Sequence, residues 1–188
     1  MPEIPLKLNL GCGNCKLDDY VNIDIDPDCK PDLTCDFIHQ KLPYETGSVD
    51  EVVMFHTIEH IQKFNHPLIL REIHRVLRVG GILYLSYPWF ERCFENWKNN
   101  KLGFRDFWHA TMFGRQLHPA DFHFCAMDPT ELEIVLRDVG FNQVKSIPEP
   151  EEDFNAITVA VKIATITYKD LLAEEFETTT IHKVPIFE

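Results

Sequence analysis

LNLGCGN at Leu8–Asn14 and VNIDID at Val21–Asp26 decide how the rest of this chain is read. The first is an apolar strand running into a glycine turn, and the second is another strand ending in carboxylates. In an open α/β sheet, ligands sit outside the carboxyl ends of the strands, at the switch point beside the first strand. Gly11 and Gly13 would let a ligand approach the backbone there without meeting a Cβ. Asp24, at the end of the second strand, is placed for a bidentate hydrogen bond to ribose hydroxyls. Asp36, after a brief third strand at Leu33–Cys35, is placed for an exocyclic amine. A pyrophosphate requires more, namely a third glycine and a helix N-terminus behind it. The third glycine is absent, and Asn14–Tyr20 is too short for a proper helix, so the pattern favours a nucleoside cofactor without phosphates.

The remaining chain alternates. Val49–Phe55 is a fourth apolar run and Ile82–Ser86 a fifth. Between them Ile58, Ile61, Ile69, Ile73, Val76 and Leu77 recur at helical spacing, broken at Pro67. This predicts a one-turn helix, a break and an amphipathic helix from about Pro67 to Arg78, stopped by Gly80-Gly81. Asp128-Pro129-Thr130-Glu131 opens another helix, with Asp128 as N-cap, Pro129 at the first helical position and Glu131 as capping-box partner. Phe141–Ile147 and Ile157–Ile163 close the pattern as a hairpin. The implied fold is a parallel-rich α/β sheet with one antiparallel edge. Two segments stand outside it: an aromatic cap at 89–127, inserted after strand five, and a tail at 164–188 that follows a domain spanning 1–163.

The chain has 188 residues, 45% of them hydrophobic, which suits one domain with an appendage. Its net charge of −12 offers no general attraction for phosphate backbones or anionic membranes. The sequence contains no long apolar run and its N-terminus lacks a signal-peptide pattern, so a cytoplasmic protein with no membrane partner is expected. The six cysteines are expected to be reduced thiols. Cys12 and Cys15 form a CxxC, but Cys12 lies inside the glycine turn and Cys29 and Cys35 are wrongly spaced for a second zinc knuckle.

As a set, LNLGCGN, VNIDIDP, CDFIHQKLPYETGSVDEVVMFHTIEH and LREIHRVLRVGGILYLS resemble the class I S-adenosylmethionine-dependent methyltransferases, in the small-molecule subgroup. The resemblance covers about Leu6–Ser86 firmly and Asp128–Ile163 loosely. It implies a Rossmann-like seven-stranded sheet of order 3-2-1-4-5-7-6 with the last strand antiparallel, and S-adenosylmethionine as cofactor. Leu10, Gly11, Cys12, Gly13 and Asn14 would line the methionine part, Asp24 take the ribose and Ile25 pack on the adenine. Asp36 with Phe37 would read the adenine edge, while Phe55 and His56 would close the site near the sulfonium. Asn9 stands where the family usually has an acidic residue, and Cys15 where it has a third glycine.

Methyl transfer chiefly needs alignment of donor and acceptor, and a general base only for weakly acidic or protonated acceptors. HPADFHF offers His118, Asp121 and His123, with His123 favoured because Phe122 and Phe124 flank it. The surrounding aromatics would line an acceptor pocket or simply form the core of a cap. His56-Thr57-Ile58-Glu59-His60 has HxxEH rather than HExxH spacing, so no metal is assigned; Glu59 and His60 would orient the loop or the substrate, or cap it. The chain has no (N/D)PP(Y/F) tetrapeptide and no Pro-Cys. A small molecule, glycan or lipid-linked intermediate is therefore favoured over nucleic acid and protein as acceptor. A cofactor-binding module without turnover and a macromolecular methyltransferase are the alternatives. Connections this short fall below the roughly dozen residues of a parallel crossover, so one sheet face should be poor in helices. Its cover would come from the tail, from the cap or from a second copy in a homodimer.

Overall fold

The computed structural model describes residues 4–150 and 154–164. Seven strands, β1 (Lys7–Leu10), β2 (Val21–Asp24), β3 (Leu33–Thr34), β4 (Val49–Phe55), β5 (Leu77–Pro88), β6 (Gln143–Pro148) and β7 (Asn155–Val161), form one sheet. Their order is β3-β2-β1-β4-β5-β7-β6. The first five run parallel to one another, and β7 runs antiparallel to both β5 and β6. Side chains alternate through the sheet. Leu8 and Leu10, Ile23, Val52 and Met54, Leu83 and Leu85, and Ala156 and Ala160 all enter one core.

Two helices cover that core face. Helix α1 (His66–Val76) buries Ile69, Leu70, Ile73 and Val76, and α3 (Pro129–Asp138) buries Leu132 and Leu136. They pack on each other and on β5, β6 and β7, so they share a side. Asp128 caps α3 by accepting from the Glu131 N–H at 2.9 Å, as expected. The Glu131 carboxylate pairs with Lys63 at 2.5 Å. The Gly80-Gly81 stop signal is not a helix end. Helix α1 finishes at Val76 and Leu77 turns directly into β5, because Leu77 must lie against Val49 in the core. The pairing then jumps from Val49 with Leu77 to Glu51 with Ile82, and the glycines let the extra residues loop out. A Cβ on Gly81 would lie 2.9 Å from the Arg78 carbonyl oxygen.

No helix packs on the opposite face among the described residues, and α2 (Phe90–Lys98) packs instead on a π-helical segment at Asp106–Met112. Over β2, β1 and β4 this face is polar rather than bare. Tyr20, from the short β1–β2 connection, donates its hydroxyl proton to Glu51 and carries the Lys7 ammonium 5.2 Å from its ring centre. Towards β5 and β7 it shows half-buried Ile82, Tyr84, Ile157, Val159 and Val161. The tail at 165–188, one of the three covers expected, lies outside the described residues. No described helix is long and apolar enough to cross a membrane.

One amide holds the short β1–β2 and β2–β3 connections in place. Asn22 Oδ1 accepts from Asn9 Nδ2 at 3.0 Å and from the Leu17 N–H at 2.9 Å. Its amide nitrogen faces the Leu17 and Tyr20 carbonyls and, at 2.9 Å, the Asp32 carboxylate, which also takes the Asn22 N–H at 2.8 Å. These bonds hold the Asp32 carboxyl below the usual range. Elsewhere Glu72 on α1 grips the β3–β4 connection, accepting from the Leu42 N–H at 2.8 Å and pairing with Arg75, which donates to the Leu42 and Tyr44 carbonyls.

Replacing Asn22 with Ala strands several buried donors and acceptors and should cost about 2–4 kcal/mol in urea denaturation; a loss below about 1 kcal/mol would contradict the role given to it. The Glu72 carboxyl is depressed below its ordinary 4.5, chiefly by the Arg75 hydrogen bonds. Its contribution is therefore complete above that value and is lost as pH falls through the folded-state value. The stability gap between the wild type and Glu72→Gln should thus be largest at neutral pH and close as pH falls from 4.5 through the lower folded-state value.

Candidate active site

The glycine turn after β1 is built by its neighbours. Gly11 and Cys12 both donate to the Ile23 carbonyl, at 2.8 and 3.1 Å, and the Gly13 N–H donates to Asp24 Oδ2 at 2.7 Å. Asp24 Oδ1 takes the Asp26 N–H at 2.9 Å, so the carboxylate braces the ends of both strands. Each oxygen keeps a second lone pair for a ligand hydroxyl. The two glycines differ in their reason. Gly11 has φ +71°, and a Cβ there would fall 2.3 Å from Thr57 Cγ2, so the space it leaves is filled by protein. Gly13 has φ +48° and nothing within 4 Å of a Cβ position, so it is the glycine that opens onto free space. Thr57 carries no signal in the sequence pattern. Its hydroxyl lies 3.1–3.4 Å from the carbonyls of Leu10, Gly11 and Phe55, locking the loop after β4 to the turn after β1.

Large apolar side chains flank this opening. Ile25, just past β2, is 51% exposed, and Phe55, at the end of β4, is 42% exposed. Because β2 and β4 are the neighbours of β1 on either side, the two residues stand across the turn from each other. An open glycine, a carboxylate with spare lone pairs and two unburied apolar groups at one sheet edge fit a nucleoside with no phosphate to hold.

Other expected contacts are committed elsewhere. Asn9 is 3% exposed and spends its amide on Asn22 and the Cys15 carbonyl, so it braces the turn from within. Leu10 and Phe37 are core residues, and the buried Cys12 thiol is pushed up to about 11 by burial and then by Asp24. Asn14 is exposed on the turn. Asp36 accepts from the Ile38 and His39 N–H groups and from His39 Nδ1 at 2.9 Å; burial opposes its ionisation, but the His39 bonds hold it below the usual range. All six cysteines are free thiols.

The excursion after β5 closes on itself through a Trp89–Met127 bridge. Its aromatics form an internal stack, with Trp97 parallel to Phe107 at 5.2 Å and Trp108 edge-on to both. Of the three polar candidates it carries, two serve the local turn. Asp121 accepts from the Leu117 and His118 N–H groups, and His118 Nδ1 accepts from Ala120 N–H. Only His123 is carried to the sheet. The Phe124 N–H donates to the Glu59 carbonyl at 2.9 Å and His60 Nδ1 to the Phe122 carbonyl at 3.1 Å, which seats His123 edge-on to His60 with ring centres 4.6 Å apart. Burial depresses the His123 imidazolium, and its Nδ1 donates to the Thr111 carbonyl at 2.8 Å. Beside it His56 has a left-handed backbone, φ +50°, rare for a residue other than glycine and frequent at functional sites.

Residues 10–146 match the family model described as a methyltransferase domain. The chain belongs to that family. Solved structures of similar fold include an S-adenosylmethionine-dependent methyltransferase from Archaeoglobus fulgidus, with TM-score 0.58 and 15% identity over 85% of this chain and 87% of that one. One from Mesorhizobium loti has TM-score 0.58 and 12% identity, covering 86% and 94%. A third is a chain from the complex between the Haloferax volcanii Trm112 methyltransferase activator and a candidate methyltransferase, with TM-score 0.56 and 18% identity, covering 87% and 86%. No curated protein matches the sequence. Family and fold together make this an S-adenosylmethionine-dependent methyltransferase domain, with S-adenosylmethionine as its cofactor.

The contrast between the glycines is measurable in this methyltransferase. Gly11→Ala should destabilise by about 2–4 kcal/mol, combining overpacking against Thr57 with left-handed strain. Gly13→Ala should cost only about 1–2 kcal/mol. It should also weaken S-adenosylmethionine by roughly tenfold, the effect of removing one well-made interaction with the ligand. Equal stability losses with unchanged cofactor affinity would refute the assignment.

Proposed function

We propose that the chain transfers a methyl group from S-adenosylmethionine to an oxygen or nitrogen of a small molecule or of a glycan or lipid-linked intermediate. The observation that carries this is the edge where Gly13 opens between Ile25 and Phe55 above the Asp24 carboxylate, with the excursion joined to the loop just beyond Phe55. The cofactor supplies a methyl carbon already activated by its sulfonium. Asp24 takes ribose hydroxyls on its spare lone pairs, Ile25 and Phe55 pack on the apolar faces of the nucleoside, and the turn at Gly11–Asn14 accepts the amino-acid part. Asp36 and Phe37 reach the adenine edge through the backbone of their turn.

The chain's own contribution is alignment and exclusion of water. Holding donor and acceptor in line supplies on the order of 7–11 kcal/mol. The acceptor lies between the β4 edge and the excursion, where His123 is the polar side chain facing it and Glu59 and His60 form the floor. His118 and Asp121 shape the turn that delivers His123. The strong net negative charge favours a small acceptor over a phosphate-rich polymer.

Calorimetric titration should show S-adenosylmethionine binding with one site and NADH giving no heat. Asp24→Ala should weaken the former by at least roughly tenfold, as expected when a charge-assisted pair is removed. Methyl label should then pass from the cofactor to a component of a metabolite extract. No heat with S-adenosylmethionine defeats the proposal; binding without any transfer favours the module without turnover.

A further inference from the structure

Glu59, His60 and His123 form a cluster that neither the core nor the cofactor cradle requires. One donor atom from each lies within 4.8 Å of the other two. Glu59 is 1% exposed, and neither carboxylate oxygen has a hydrogen-bond partner among the described residues. His56 Nδ1 stands 3.3 Å from Oε1, an ion-pair distance that is not a hydrogen bond. A carboxylate buried in this way is costly unless a cation neutralises it.

The two imidazoles are set for such a cation. A carbonyl oxygen only accepts, so His60 Nδ1 facing the Phe122 carbonyl and His123 Nδ1 facing the Thr111 carbonyl must both carry their protons. Each ring thereby presents Nε2 as a lone pair, with orientation and tautomer fixed in the way backbone carbonyls fix metal-binding histidines. The supports of the cluster are themselves pinned. The buried His66 Nε2 lies 3.1 and 3.0 Å from the Ile58 and Ile61 carbonyls on either side of Glu59-His60. Gly114 allows the excursion to close over His123, since a Cβ there would fall 1.6 Å from the Asp121 oxygen.

We propose that Glu59, His60 and His123 bind one divalent transition-metal ion of the zinc class, through a carboxylate oxygen and two imidazole nitrogens. Imidazole with carboxylate favours zinc, cobalt, nickel or ferrous ion over magnesium and calcium, which take all-oxygen sets. Tetrahedral ligands at zinc distances lie about 3.4 Å apart, so donors within 4.8 Å of one another need to close by up to about 1.4 Å, through the Glu59 side chain and small ring tilts. Three protein ligands leave a further position open. Glu59 and His123 also line a narrow cleft with Pro88, Phe90, Thr111, Cys125 and Met127, too tight to admit a water molecule.

Metal-free full-length protein, prepared with a chelator and first shown to bind S-adenosylmethionine, is titrated with cobalt(II) and then zinc. The expected result is one equivalent of cobalt with visible ligand-field bands and no near-ultraviolet thiolate band, displaced by zinc, and a zinc-dependent rise in Tm. Glu59→Gln keeps the shape of the side chain and should weaken binding by about 100-fold or more, while raising the Tm of the metal-free protein. His60→Asn, at a half-buried position, should weaken binding similarly, and His109→Ala, on the exposed surface, should leave it unchanged. Absence of stoichiometric binding, a thiolate band, or affinity retained in both Glu59→Gln and His60→Asn would overturn the site. S-adenosylmethionine affinity, measured in parallel, tests the cofactor cradle separately.

Discussion

The side-chain amide of Asn22 is the constraint on which the cofactor edge depends. Two parallel strands joined by a connection this short have no helix to cover their backbone, and the polar groups of the connection must still be satisfied. Asn22 does this from inside the sheet, tying Asn9 in β1, Leu17 and Tyr20 in the connection and Asp32 before β3 to one point. With that point fixed, Ile23 can take the Gly11 and Cys12 N–H groups and Asp24 can take Gly13. The glycine turn is therefore shaped by hydrogen bonds from β2 rather than by a helix behind it.

The same constraint explains why Asn9 is not acidic. A carboxylate at that buried position would face Asn22 Oδ1, an acceptor, and the Cys15 carbonyl, another acceptor. An amide donates to both. The contracted turn and the amide at this position are one structural solution.

Much of this is legible from residue order. Val49–Phe55 is a strand at the predicted boundaries, Asp128-Pro129 opens a helix, and the strand order follows from the motif set. Gly80-Gly81 misleads as a helix stop because a glycine pair marks a C-cap and a strand bulge alike, and only the Leu77 contact with Val49 distinguishes them. Gly11 and Gly13 look equivalent in sequence, yet one is emptied for Thr57 and the other for open space. The cluster around Glu59 is hidden for a different reason. HxxEH fails as a local zinc pattern, and the third donor, His123, reaches Glu59 only because Phe124 and Phe122 pair with the loop after β4. Spacing along the chain carries no trace of that pairing.

The neck of the aromatic excursion bears on how such a domain diversifies. Trp89 and Met127 lie side by side where the excursion leaves and rejoins the sheet, and its rings stack on one another more than on the core. Residues between those two points can be lengthened, shortened or exchanged while every strand keeps its register. A change of cap can thus leave the sheet intact, provided the new loop still offers backbone groups to bond beside Glu59. Descendants of this fold would then diverge fastest in the cap and slowest in the turn held by Asn22.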